Sequence, residues 1–164
     1  MSPKLVILRG RPTSGKTTAL RTLKKRKELK DWNIIDHSEI KSKIGKEAGK
    51  EKLHELLKES MQKSKNILTE ETSRKTLNKY LGNLIRKCKY KIMVFQFFVS
   101  TETAYKRDVQ RGKEKWHPAM GKEWVKKMHK LHDKRADPEG IIVNTDKLNK
   151  REVISFILKK INLK

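Results

Sequence analysis

The sequence predicts an α/β domain built on a parallel β-sheet. Three observations carry that expectation. Five short apolar runs are spread along the chain, most of them without the apolar–polar alternation of a half-exposed strand. Segments with apolar residues at three-and-four spacing fill the gaps between them. The first run leads straight into a glycine-rich turn, Gly10 to Thr17, and then into a helical pattern. Strand and helix alternate to the end, as strands do when helices carry the crossovers.

Leu5 to Leu8 is the first strand, and a helix through Ala19, Leu20 and Leu23 follows the turn. Ile34 and Ile35, with their flanks, form the second strand, and a helix begins near Ser38. Lys41 to Lys52 breaks the pattern with Gly45 and Gly49 among lysines, and is expected to be mobile or substrate-facing. Leu53, Leu56, Leu57 and Met61 then mark a helical stripe before the strand Ile67 to Leu68. Leu77, Tyr80, Leu81, Leu84, Ile85 and Cys88 mark the next one. Ile92 to Val99 is the longest apolar run and is expected at the centre of the sheet. A helix over Thr101 to Arg111 follows, then a second irregular stretch, Gly112 to Gly121, holding Trp116, His117 and Pro118.

Glu123 to Arg135 mixes Trp124, His129 and His132 with Lys126, Lys127, Lys130, Lys134 and Arg135. This mixture suits a nucleic-acid backbone or single-stranded bases. It equally suits a helix with Trp124, Met128 and Leu131 inward and the lysines in water. The two histidines have no Cys or carboxylate cluster at zinc spacing, so no structural metal is expected. Ile141 to Val143 is the last strand. Val153, Ile154, Ile157, Leu158 and Ile161 stripe the last helix, with Asn149 as its cap and Glu152 as the reciprocal partner.

The chemistry sits in the turn. Gly10-Arg11-Pro12-Thr13-Ser14-Gly15-Lys16-Thr17 matches G-x-x-x-x-G-K-[ST] in full. Gly10 and Gly15 let the backbone aim its N–H groups at phosphate oxygens. Lys16 reaches the β- and γ-phosphates, and Thr17 offers its hydroxyl to Mg²⁺. Gly10 to Thr18 is therefore the expected nucleotide contact, with the following helix N-terminus adding its dipole.

With this loop in place, the chain resembles the small P-loop kinases related to polynucleotide 5′-hydroxyl kinases and zeta-toxin-like kinases. The resemblance is carried by Gly10 to Thr17, by Ile34-Ile35-Asp36-His37, by Ile67-Leu68-Thr69-Glu70-Glu71-Thr72, by Arg107 with Arg111, and by the closing strand and helix. It implies one three-layer P-loop NTPase domain over residues 1–164, with a five-stranded parallel sheet of order 2-3-1-4-5 and a lid near 107–121. It implies ATP (or GTP) and Mg²⁺ as cofactors, and Asp36 as general base on the acceptor hydroxyl. An N-cap for the helix at Ser38 explains Asp36 as well. His37 and Lys41 are substrate contacts or plain surface. Glu70, with Glu71 as the alternative, matches the position that holds the Mg²⁺ shell. Thr72 and Arg74 match positions facing the acceptor. Arg107 and Arg111, four apart on one helix face, match lid arginines that stabilise the transferring phosphoryl, although pairing with Asp108 or Glu102 explains them too. The polynucleotide kinases usually carry an arginine three residues after the aspartate, where this chain has Glu39. Lys41 or Arg74 would then supply the grip on a substrate phosphate.

Composition bounds the rest. The 164 residues fit one domain. The net charge of +23, from 42 Lys and Arg against 19 Asp and Glu, favours a polyanionic partner, RNA or DNA, over a merely lysine-rich surface. One cysteine, Cys88, allows no intrachain disulfide. No apolar run is long enough to span a membrane, and the chain enters its first strand at once rather than through a signal peptide, so a cytoplasmic location is expected. The expected activity is transfer of the γ-phosphoryl group to a hydroxyl, with the 5′-OH of RNA or DNA as leading acceptor. The alternatives are a small-molecule kinase for a nucleotide, sugar or metabolite, and an RNA-binding ATPase without transfer activity.

Overall fold

The computed structural model describes residues 2–113 and 118–161. Five parallel strands form one sheet in the order β2-β3-β1-β4-β5. They are β1 (Lys4–Gly10), β2 (Asn33–Ile35), β3 (Ile67–Glu70), β4 (Lys91–Phe98) and β5 (Ile141–Asn144). Among the described residues seven α-helices connect and follow them: α1 (Lys16–Leu23), α2 (His37–Ile44), α3 (Lys46–Gln62), α4 (Arg74–Lys87), α5 (Thr101–Gly112), α6 (Lys122–Lys134) and α7 (Lys150–Lys160).

The missing alternation in the strands has a direct cause. Val6 and Leu8 of β1 pack with α1 and α7, through Leu20, Leu23, Ile154 and Ile157. Leu5 and Ile7 pack on the opposite face with α3 and α4, through Leu53, Leu57, Leu77 and Leu81. Both faces are dry, so both sets of side chains are apolar. Three layers result, and the middle strand is β1, not the longer β4. The length of β4 reflects its seven-residue register with β1 and four-residue register with β5.

Caps fix the helix starts as their residue types require. Asn149 and Glu152 close a reciprocal capping box on α7. Ser73 and Ser100 accept the amides of Thr76 and Thr103 at the starts of α4 and α5. Three expectations are corrected. Lys41 to Lys52 is helical on both sides of Gly45, and Gly49 is buried where a Cβ would press into Lys41 at 2.9 Å. In α4, Tyr80 is exposed and stacks on His54, while the rest of the stripe packs on the core, Leu77, Leu81 and Ile85 buried and Leu84 and Cys88 partly so. In α6 the buried positions are Val125 and His129, one place along from the expected stripe; Trp124, Met128 and Leu131 are half-buried beside them. Trp116 and His117 lie outside the described residues.

Candidate active site

The carboxyl ends of the strands open into a cavity of about 1520 Å³. That exceeds what a single small ligand needs and leaves space for two. The phosphate loop forms its floor, through Gly10 and Pro12 to Thr18.

The loop's two glycines have separate causes. A Cβ on Gly10 would lie 2.0 Å from the Phe97 carbonyl oxygen of β4, so nothing larger fits. Gly15 has φ +88 and serves as the N-cap of α1 without any side-chain cap. The first amides of α1 therefore face the cavity, where an anion satisfies them. Lys16 is buried, with Nζ donating to the carbonyls of Gly10 and Arg11 at 3.1 and 2.9 Å. Burial lowers its pKa, while Glu71 and Glu70 pull the other way.

Thr17 donates its hydroxyl to Glu70 Oε2 at 2.8 Å, and the Ser38 amide donates to Oε1 at 3.3 Å. Glu70 is fully buried at the end of β3, and no described Lys or Arg forms a salt bridge with it. Burial raises its pKa against the lowering effect of Ser38 and Thr17. A buried carboxylate beside a hydroxyl, without a counter-charge, fits Mg²⁺, which keeps most of its water and takes few protein ligands. Among the described residues no group of three or more His, Cys, Asp or Glu forms a protein-only metal cage. Glu71, at φ +59, instead pairs with Lys41.

Asp36 is buried and fully engaged. It caps α2 by accepting the Glu39 amide at 2.8 Å, and it accepts Arg21 Nε at 2.8 Å. Burial alone would raise its pKa, but the Arg21 and Glu39 contacts hold it low. It does not line the cavity; its neighbours His37, Ser38 and Lys41 do. His37 is buried with neither ring nitrogen bonded to a described group. Burial lowers its pKa, as does Lys41.

Arg107 and Arg111 both line the cavity. Arg107 donates to the Thr13 carbonyl at 3.2 Å and to both oxygens of Thr145 at 3.1 and 2.9 Å. Arg111 pairs with the fully buried Asp108, which also accepts the amides of Met120 and Gly121. The two expected arginines are thus brought to the phosphate loop. Arg11 and Arg74 are not. Arg11 turns outward to Asp133 of α6, and only its carbonyl serves the loop. Arg74 pairs with Asp137 and Glu139.

Sequence reasoning missed part of the lining. Thr145, Leu148, Lys150 and Val153 wall the end of the cavity beside α1. Arg9 lines the cavity from β1, beside Trp124, Met128, His132 and Arg135 of the aromatic and basic stretch already singled out in the sequence. Arg9 did carry a signal: it is a cation at the carboxyl end of an apolar strand, where parallel sheets bind ligands.

A sequence profile of the family described as chromatin associated protein KTI12 matches residues 3–164. No curated protein matches the chain. Among solved structures, a candidate kinase of Chloroflexus aurantiacus j-10-fl superposes with a TM-score of 0.69 at 14% identity, covering 98% of this chain and 96% of that one. A sugar kinase of Janibacter sp. gives 0.62 at 13% identity, covering 98% and 95%. The Pnkp1/Rnl/Hen1 RNA repair complex gives 0.55 at 19% identity, covering 84% of this chain and 47% of the matched one. These likenesses show the fold of the small P-loop kinases, including its 2-3-1-4-5 sheet.

Proposed function

The chain belongs to the family of chromatin associated protein KTI12, and we propose that it is an ATP-dependent phosphotransferase acting on the 5′-hydroxyl of a nucleic acid. One observation carries the phosphotransferase reading: Lys16, the Thr17–Glu70 pair, His37 and Arg107 converge on one cavity around the phosphate loop. Charge carries the acceptor. Lys25, Arg26, Lys41, Lys46 and Lys50 line the same cavity, in a chain of net charge +23.

The α1 amides and Lys16 bind the β- and γ-phosphates of ATP or GTP. Thr17 and Glu70 would hold Mg²⁺, which when bound neutralises phosphate charge. Asp36 lies at the carboxyl end of β2, held in place by Arg21. To take the hydroxyl proton Asp36 would release Arg21 or the Glu39 amide and reach past the cavity-lining His37 and Ser38, and both His37 ring nitrogens are buried and unbonded beside it. Arg107 and Arg111 meet the charge that spreads over the transferring phosphoryl. Positioning and electrostatics supply the rate.

A metabolite kinase is the second reading. The Janibacter neighbour, a sugar kinase, covers nearly the same length of chain. The deciding experiment is transfer of γ-labelled phosphate to 5′-hydroxyl RNA and DNA oligonucleotides, with Lys16→Ala as control. A labelled 5′ end that disappears in the variant is expected. ATP binding without label on either oligonucleotide would overturn the nucleic-acid acceptor, and a panel of sugars and nucleosides would then separate the metabolite kinase from an RNA-binding ATPase.

A further inference from the structure

Positive charge in the cavity is handled in two ways. Several cavity cations have a carboxylate, Lys41 with Glu71, Arg21 with Asp36 and Arg111 with Asp108, while Lys16 and Arg107 are held by backbone carbonyls of the phosphate loop. The end lined by β1 and α6 differs. Arg9 and Arg135 both line the cavity there, and among the described residues neither forms a salt bridge. The acidic groups nearby are already engaged, Asp133 with Arg11 and Asp137 with Arg74.

Arg9 has no structural reason to be a cation. Strand side chains alternate, so Arg9 lies on the face of Leu5 and Ile7, against Gln96 of β4. Burial disfavours its charge, Asp137 opposes that effect, and Arg135 adds repulsion. Arg135, at the C-cap of α6, also answers the helix dipole, so its position alone says less. His132 sits among them, its pKa pushed down to about 4 by burial and by Lys16, Arg9 and Arg135. An anion between these groups would relieve all of that repulsion. Beside them on α6, Trp124 and Met128 line the same cavity at four-residue spacing with His132, so an apolar surface adjoins the cations.

We propose that Arg9 and Arg135 form a second anion site, on the side of the cavity lined by β1 and α6, that binds a phosphate ester carried by the acceptor next to its reactive hydroxyl. The inference rests on the phosphotransferase reading for its meaning but not for its test. Arg9 points to the sheet face opposite the one on which α1 packs. The site stands in for the arginine missing at Glu39, a role that the ion pairs of Lys41 and Arg74 leave to others.

The test is calorimetric titration of the full chain saturated with a non-hydrolysable ATP analogue. The probes are a 5′-hydroxyl dinucleotide with its natural phosphodiester, the same molecule with a neutral methylphosphonate link, and a nucleoside 3′-monophosphate. The natural link should bind roughly tenfold tighter than the neutral one, the worth of one charge-assisted contact. Arg9→Gln/Arg135→Gln should abolish the preference. Lys127→Gln, on the exposed face of α6, should keep it. Tight binding of the monophosphate would point to a small phosphorylated acceptor, and binding only of the dinucleotide to a nucleic-acid end. Equal affinity for both links, a preference that survives the double variant or falls equally in Lys127→Gln, or no binding of any probe would overturn the site. A phosphate-dependent ligand that is never phosphorylated would instead overturn the phosphotransferase reading and leave the site standing.

Discussion

Arg11, a variable position of the phosphate loop, grips Asp133 on α6 with two parallel hydrogen bonds of 2.9 and 2.6 Å. The same guanidinium donates to the Val99 carbonyl at 2.8 Å and lies 4.2 Å from the Phe98 ring centre. One side chain therefore joins the loop, β4 and the helix that carries the far cavity wall. Arg11→Ala should cost about 1–3 kcal/mol of stability. Asp133→Ala removes only the half-exposed partner and should cost about 0–1 kcal/mol. Urea denaturation of both variants checks the difference, and equal losses would mean that the Val99 and Phe98 contacts contribute nothing.

Glu70 should trade stability against activity. Its folded pKa is raised, chiefly by burial, so the folded state binds that proton more tightly than the unfolded one. Its contribution to stability therefore grows as pH falls into the carboxylate range. Glu70→Gln removes the buried charge permanently. Without Mg²⁺ at neutral pH its Tm should rise, while turnover drops by about 10²-fold or more. A variant that melts lower and keeps its turnover would contradict the assignment.

His132 gives an opposite pH signature. Its folded pKa, about 4, lies below the ordinary value, so the unfolded chain takes up the proton first on acidification. Stability is intact above roughly pH 6.5, the ordinary histidine value, and is lost progressively as pH falls toward 4. His132→Gln should flatten that part of the curve. Melting temperatures measured from pH 7.5 to 4 would show it; parallel curves for the two proteins would disprove the cause.

Asp36 and His37 should separate by what they do. Asp36→Asn loses the Arg21 pair, and both turnover and stability should fall. His37→Gln removes unbonded nitrogens only, so turnover should fall by about tenfold or more with nucleotide affinity unchanged. Steady-state kinetics alongside nucleotide titration distinguishes the two, and a His37→Gln protein with full kcat would remove that residue from the site.

Local order was legible in the residues because it has local causes. The loop needs Gly10 and Lys16 at fixed spacing, α7 needs Asn149 and Glu152 three apart, and a strand covered on both faces needs an unbroken apolar run. What escaped is decided by distant neighbours. Arg11 fits a phosphate loop in sequence, and only the position of Asp133, 122 residues later, turns it away. Arg74 is drawn to Asp137 in the same manner. Lys41 to Lys52 looks irregular because glycine signals a break, yet Gly49 is there to let α3 approach Lys41. Arg9 was passed over because it directly follows a run, Leu5 to Leu8, whose members are all core.

The register of β1 also bears on how the chain comes together in time. Leu5 pairs with Ile67 on one side and with Ile92 on the other. No hairpin can start such a sheet, and the N-terminal strand waits for partners more than sixty residues away. During synthesis, the first sixty residues emerge with Leu5 to Leu8 unpaired on both edges, an apolar segment open to aggregation until β3 and β4 leave the ribosome. Folding should accordingly be slow for a chain of this size, and fragments ending before Phe98 should be insoluble where the whole chain is not.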